Sequence, residues 1–283
     1  FIPGPNGGFK DKTIKPISIE EHKYRHSHLV LPLAHMMGAC VWEPGYRMTD
    51  TPGENIFPPE YKTDKPFAAH TLGVAFKWIP DQIGECRPWP SPSARAVEMV
   101  KRDFPIRPFV ITLRECYTPE RNSNLETWKL LADYARDKGE SVVIVRDTDK
   151  PLERFCSHKI APLASLDVDY RLALYKHAKM NFGVNNGTSV LNIYSDMPYR
   201  IFKMVTEGYR PTSAKYLESV GLPVGSQIPW AVKGQKIIWE DDNFPALQRE
   251  FDDWRKNAPH QGRYDAGRGV VENGKTERSR ASA

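Results

Sequence analysis

Asn181-Phe182-Gly183-Val184-Asn185-Asn186-Gly187-Thr188-Ser189, followed by Val190-Leu191-Asn192-Ile193, decides how this chain is read. The run is a short apolar strand, a tight polar loop with a glycine, and the first turn of a helix. A strand that passes through such a loop into a helix aims backbone N–H groups at one spot, which then favours a phosphate or another anion. Taken alone, the same run also fits an ordinary strand-to-helix connection capped by Thr188 or Ser189. A second strand end adds weight to the anion reading. Phe109-Val110-Ile111-Thr112-Leu113-Arg114-Glu115 carries a cation toward the same edge of a sheet.

Working outward, 109–113 is a continuous β-rich run, as expected of a strand buried on both faces. Ser123 with Glu126 reads as a capping box that opens a helix, and Gly139 stops it. Residues 141–145 read as a second strand ending in Arg146-Asp147. A helix opens at Asp169 and runs through Lys179. Residues 182–184 form a third strand, 188–195 a helix, and 199–205 a fourth strand. Such alternation with short links implies right-handed crossovers and a parallel sheet covered by helices on both faces. Toward the amino terminus, 18–37 reads as a helix with Ser18 and Glu21 as a capping box, interrupted by Pro32. Val41-Trp42 and 72–78 read as strands, 43–66 as loop, and 93–101 as a short helix.

The expected fold class is therefore α/β, with a Rossmann-like lobe over 105–240. A smaller, truncated amino-terminal α/β lobe is expected over 1–104. A helix over 241–258 would pack back across the molecule, and a disordered basic tail would fill 259–283. The tail carries Arg263, Arg268, Lys275, Arg278 and Arg280 with almost no large apolar residue, too little to order itself.

The chain has 283 residues and a formal charge of +5, part of it in that tail, so the folded part is closer to neutral. Basic and aromatic residues do not interleave in the manner of single-strand binders, which argues against nucleic acid as a partner. The four cysteines, Cys40, Cys86, Cys116 and Cys156, make no CxxC pair and read as buried thiols in a reducing compartment. No apolar run approaches the roughly 20 residues that span a bilayer, and no signal peptide is recognisable within the sequence, so a cytoplasmic location is expected. The chain begins at Phe1 rather than Met and reads as a fragment. His22 and His26 stand at i, i+4, but neither HExxH nor a third ligand accompanies them, and no metal is expected.

In open parallel sheets, ligands sit at the carboxyl ends of the strands. There this sequence offers Arg114 and Glu115, then Arg121, Asn122 and Ser123, then Arg146 and Asp147, then Asn185, Asn186, Gly187, Thr188 and Ser189. Two strand-end arginines, a helix start and a glycine turn suit a diphosphate, because guanidinium forks pair phosphate oxygens two at a time. Asp147 or Glu115 is suited to orient an arginine or bind a ribose hydroxyl. GxGxxG, the P-loop pattern and GxSxG are all absent.

These residues resemble the donor-binding lobe of GT-B glycosyltransferases. Residues 182–189 and then Ser195-Asp196-Met197-Pro198-Tyr199-Arg200-Ile201-Phe202 are similar to the heptosyltransferase-like pattern of strand, Gly loop, helix, and Pro before the next strand. Arg114 is similar to the strand-end arginine of fucosyltransferase-like members, which binds the nucleotide diphosphate. The likeness spans roughly 105–210. It departs at Asn186, where the family's loop usually has Asp, and at Thr112-Leu113-Arg114, where the fucosyltransferase-like form is His-x-Arg. The opening strand and Gly loop of a full acceptor lobe are missing.

The resemblance implies a metal-independent glycosyltransferase, with no cofactor, a nucleotide-diphosphate sugar as donor and a glycan or other hydroxyl as acceptor. Arg114 would stabilise the leaving diphosphate, helped by Arg146 or the amides of Gly187, Thr188 and Ser189. His35, His70 or Glu43 would serve as base on the facing lobe. Two other readings stay open at this point. One is a non-catalytic nucleotide- or sugar-binding module. The other is a sugar-nucleotide epimerase, for which Glu43, Asp50 and Glu54 are the acidic candidates of the amino-terminal lobe.

Overall fold

A computed structural model describes residues 18–30, 32, 76 and 90–257. Its centre is a parallel sheet of six strands, β1 (Phe109–Thr112), β2 (Val142–Val145), β3 (Lys159–Ile160), β4 (Met180–Val184), β5 (Tyr199–Phe202) and β6 (Gln235–Ile237). The spatial order is β3-β2-β1-β4-β5-β6. The chain enters at the middle with β1, moves outward to β3, and returns to lay β4 on the other side of β1. It then moves outward again to β6. The direction of winding thus reverses between β1 and β4, where doubly wound sheets open a crevice.

Alternation within the central strands builds two cores. Phe109, Ile111 and Leu113 of β1, with Val142 and Ile144 of β2, face a cluster completed by α3 (Leu125–Asp137) and α8 (Phe244–Asn257). Val110, Val143 and Val145 face the opposite cluster, built with α2 (Ala94–Asp103) and α5 (Val168–His177). Phe109 is the hub of the first core: its ring lies 5.0 Å from Phe182, 5.2 Å from Phe251 and 5.5 Å from Trp254. The last two belong to α8, so the expected return of the carboxyl-terminal helix is observed. No described helix is long and apolar enough to cross a membrane.

Helix starts differ from the sequence reading in instructive ways. Asn124, not Ser123, caps α3, because the Ser123 hydroxyl is taken by the Arg114 amide at 2.9 Å. Asp167 rather than Asp169 caps α5. Asp169 instead accepts from the Ser93 amide and hydroxyl at 2.8 and 2.6 Å, tying the start of α2 to α5. The short helix α4 (Pro162–Leu166) precedes α5, and the short helix α7 (Ala214–Ser219) follows β5. At the amino terminus α1 (Ile19–Arg25) begins with the Glu21 amide on the Ser18 hydroxyl, as the capping box implies, and passes into a π-helical turn over His26–Val30. The rest of the expected 18–37 helix and the strands at 41–42 and 72–78 lie outside the described residues, apart from the isolated positions 32 and 76.

β5 stops at Phe202 instead of 205, because Lys203 takes a left-handed backbone (φ 54) that turns the chain off the sheet. β3 and β6 were not foreseen. β3 has two residues and β6 reads Gln-Lys-Ile, so neither shows an apolar run. β6 is held by polar ties: the Gln235 amide donates to the Ser195 and Met197 carbonyls at 2.6 and 3.0 Å. Cys116 is half-buried and Cys156 is exposed, which corrects the expectation of buried thiols; Cys40 and Cys86 lie outside the described residues.

One buried carboxylate joins α3 to the loop between β6 and α8. Asp242, 3 % exposed, accepts from the Trp128 indole N–H and the Asn124 amide, both at 2.7 Å. Asp242→Ala strands the fully buried Trp128 N–H and is expected to cost about 3 kcal/mol in chemical denaturation, against a near-neutral result for the exposed neighbour Asp241→Ala.

Candidate functional site

The site grows from the seam of β1 and β4. Their register pairs Thr112 with Gly183, so Arg114 and Asn185, each two residues further on, leave neighbouring strands side by side. Arg114 and Gly187 therefore lie at the same end of the sheet. The loop after β1 is closed on itself. The Arg114 amide donates to the Ser123 hydroxyl, the Ser123 amide returns to the Arg114 carbonyl at 2.9 Å, and the Asn122 side chain clips the Cys116 amide and carbonyl at 2.9 and 2.8 Å. Ser123 and Asn122 thus shape the loop and have spent these groups on it.

That loop presents Arg121 beside Arg114. Burial, and then the Arg114 charge, push the Arg121 pKa below the ordinary arginine value, so the two cations sense each other. The Arg121 guanidinium lies 4.6 Å over the centre of the Tyr209 ring. The buried Nε of Arg114 has no hydrogen-bond partner among the described residues. Neither arginine forms an ion pair with a described carboxylate.

Arg146 behaves in the opposite way and corrects its expected role. Its Nε and Nη2 meet both oxygens of Glu115 at 2.6 and 2.7 Å, and its Nη1 donates to the Glu153 and Arg154 carbonyls at 3.0 Å. Both side chains of the pair are only 5 % exposed. Glu115 does orient an arginine, but that arginine is thereby neutralised and its donors are used. Asp147 is committed as well, with one oxygen on the Glu115 amide at 2.9 Å and the other on the Thr148 amide at 2.7 Å. Arg146, Glu115 and Asp147 brace the ends of β1 and β2.

After β4, Thr188 stands at the N-cap of the following helix, one of the two expected positions, but its hydroxyl caps no backbone amide. The Asn186 side-chain oxygen accepts from the Ser189 amide at 2.9 Å and from the Thr188 hydroxyl at 2.8 Å, and the Ser189 hydroxyl turns inward to the Val184 carbonyl. The Ser189 amide is therefore occupied, while those of Gly187 and Thr188 have no partner among the described residues. The helix α6 (Ser189–Ile193) has five residues, so its dipole is slight and the positive charge of the rim comes from the arginines. Gly187 is exposed, is not in a left-handed conformation, and a Cβ there would meet nothing within 4 Å.

Beside this rim an open cleft of about 490 Å³ runs between Glu120, the segment Lys203 to Glu207, and Trp239 to Asp241. The sequence reading missed it, because its walls come from three loops with no shared pattern. Lys203 was missed too: its Nζ donates to the Asn122 carbonyl at 3.0 Å and lies 3.7 Å from Asp242. Tyr209 lies in the loop after β5, where no local pattern marks it as a site residue. His35, His70 and Glu43 lie outside the described residues, as do the epimerase candidates Asp50 and Glu54. The side chains of His22 and His26 also fall outside the description, and His28 stacks on Tyr24 at 4.4 Å.

No protein-family model matches the chain, and no curated protein matches it. Among the solved structures that are similar in part, two are glycosyltransferases. ADP-heptose lipopolysaccharide heptosyltransferase II of E. coli aligns with TM-score 0.40 and 14% identity over 59% of this chain and 53% of its own. The glycosyltransferase family 9 structure from Veillonella parvula DSM 2008 aligns with TM-score 0.39 and 12% identity over 62% and 47%. The chain spans about half the length of either.

Two substitutions separate bracing from binding at this rim. Glu115→Ala leaves Arg146 buried without its counter-charge and is expected to cost about 3–5 kcal/mol of stability by urea titration. Gly187→Ala fills open space and should change stability by less than about 0.5 kcal/mol, so any loss of anion binding it causes reports on close approach of a ligand.

Proposed function

We propose that this chain is the donor-binding lobe of a glycosyltransferase that moves a sugar from a nucleotide-diphosphate donor to a hydroxyl acceptor. The observation that carries the reading is a contrast in charge. At the carboxyl edge of the sheet Arg146 is fully paired, whereas Arg114 and Arg121 stand together at the winding reversal with no carboxylate partner among the described residues. Two half-buried like charges are unfavourable in isolation and become favourable when an anion with at least two negative charges lies between them.

In such a reaction the bond between the anomeric carbon and the diphosphate oxygen breaks, and negative charge grows on the departing phosphate. Preorganised guanidinium groups stabilise that charge more in the transition state than in the ground state. The arginines supply this charge from the protein itself, in keeping with a metal-independent reaction. The Gly187 and Thr188 amides are the neighbouring donors. The acceptor proton would pass to a base on the other lobe, for which His35, His70 and Glu43 remain the candidates. A glycan acceptor, and with it a role in polysaccharide synthesis, belongs to the same proposal.

Nucleoside diphosphates test it directly. At 100 times its dissociation constant, a ligand bound only by the native state adds about 2.7 kcal/mol, visible as a thermal shift. Arg114→Ala is expected to weaken that binding about 30-fold or more by calorimetry, the loss of a charge-assisted pair, with little change in the unliganded melting temperature. Undiminished affinity in this variant refutes the reading. Transfer or hydrolysis of nucleotide sugars then separates an enzyme from a binding module.

A further inference from the structure

Arg121 belongs to the loop after β1 and Tyr209 to the loop after β5, yet the two side chains are stacked. In the sheet β4 lies between those strands, so this contact bridges the carboxyl end of β4, where Asn185 to Thr188 emerge. The bridge spans two inter-strand spacings, about 10 Å. It also ties together two loops separated by most of the lobe's sequence.

Tyr209 is itself held firmly. Its amide donates to the Thr206 carbonyl at 3.0 Å, its carbonyl accepts from the Thr212 amide at 2.9 Å, and the Thr206 amide closes the turn on the Thr212 carbonyl at 3.0 Å. The root of the same loop is pinned to the β1 loop by Lys203 on the Asn122 carbonyl. A ring on so fixed a turn is a platform rather than a loose contact.

We propose that Tyr209 is a positioning residue for Arg121 in the diphosphate site; the inference rests on the function proposed above. Something must hold Arg121 near Arg114 against burial and like charge. A carboxylate could do so, but it would neutralise the guanidinium, as Glu115 does with Arg146. The face of a tyrosine ring attracts the cation through its quadrupole and leaves the positive charge uncompensated. Arg121 is thus kept in place with its charge available to an anion. Tyr209 acts through Arg121 and need not touch the ligand.

The test is a double-mutant cycle read by calorimetry with inorganic pyrophosphate. Tyr209→Leu is expected to weaken binding about tenfold, while Tyr209→Phe, which keeps the ring, stays within about twofold. In an Arg121→Ala background, adding Tyr209→Leu should cost less than about twofold more, since the residue it positions is already gone. Equal losses in both backgrounds overturn the proposal, as does full affinity in Tyr209→Leu. Melting temperatures of all variants exclude unfolding as the cause, and Tyr209→Phe carries the test if Tyr209→Leu fails to fold, a weakening beyond tenfold in that variant counting against the ring. A wild-type chain that binds neither pyrophosphate nor a nucleoside diphosphate overturns the proposed function and this inference with it. Wild-type binding that falls in Arg121→Ala but not in Tyr209→Leu overturns this inference alone.

Discussion

Gly183 sits so close to β1 that a Cβ on it would meet the Thr112 carbonyl oxygen at 3.0 Å. A sheet carbonyl is fixed by its ladder and has little freedom to retreat, so the position tolerates no side chain without local displacement. The consequence reaches beyond the strand. Because β4 lies tightly in register against β1, the two loops that leave at Arg114 and Asn185 begin side by side at the one place where the winding reverses. Of the two glycines in the stretch 181–189, the one inside the strand is therefore structural. Gly187, in the loop, meets no steric demand from the described residues.

Charge divides the rim into a braced half and a free half. On the β2 side, Arg146 and Glu115 are desolvated together, and the geometry is good enough to use both carboxylate oxygens and two backbone carbonyls. Such a pair adds little net stability but is costly to break, which makes it a device for fixing the ends of two strands. On the β4 side, Arg114 and Arg121 have no such pairing among the described residues. Their arrangement costs folding energy, and local violations of good pairing are expected where a protein keeps a site ready for a ligand.

The lobe was legible in the sequence to the extent that its strands are buried on both faces. β1 and β2 are nearly unbroken apolar runs, β4 and β5 are largely apolar apart from Asn181 and Arg200, and their order along the chain gave the parallel sheet. β3 and β6 are edge strands held by backbone and side-chain amide bonds, which leave no periodic signal. The strand-end arginines were visible as residue types, but their roles were not. Glu115 and Arg146 are 31 residues apart, and nothing in their local sequence says that they consume each other. Caps misled for a related reason: Ser123 and Asp169 each follow the local pattern, and each is claimed by a partner outside its own helix, Arg114 in the same loop and Ser93 far away in sequence. Tyr209 lies further still from Arg121, so an aromatic in a loop could be seen while the cation it carries could not.

What holds the free arginines near each other is a buried frame behind them. Asp242 fixes the Trp128 indole and the start of α3, Lys203 reaches from the β5 loop to Asn122 and toward Asp242, and Asn122 clips the turn that displays Arg121. Each member touches the next, so the loops after β1, β5 and β6 share one support. A site that must meet a growing negative charge gains most when its cations are already in place before the charge appears. The rigidity of this frame, more than the number of positive groups at the rim, is what the proposed function would draw on.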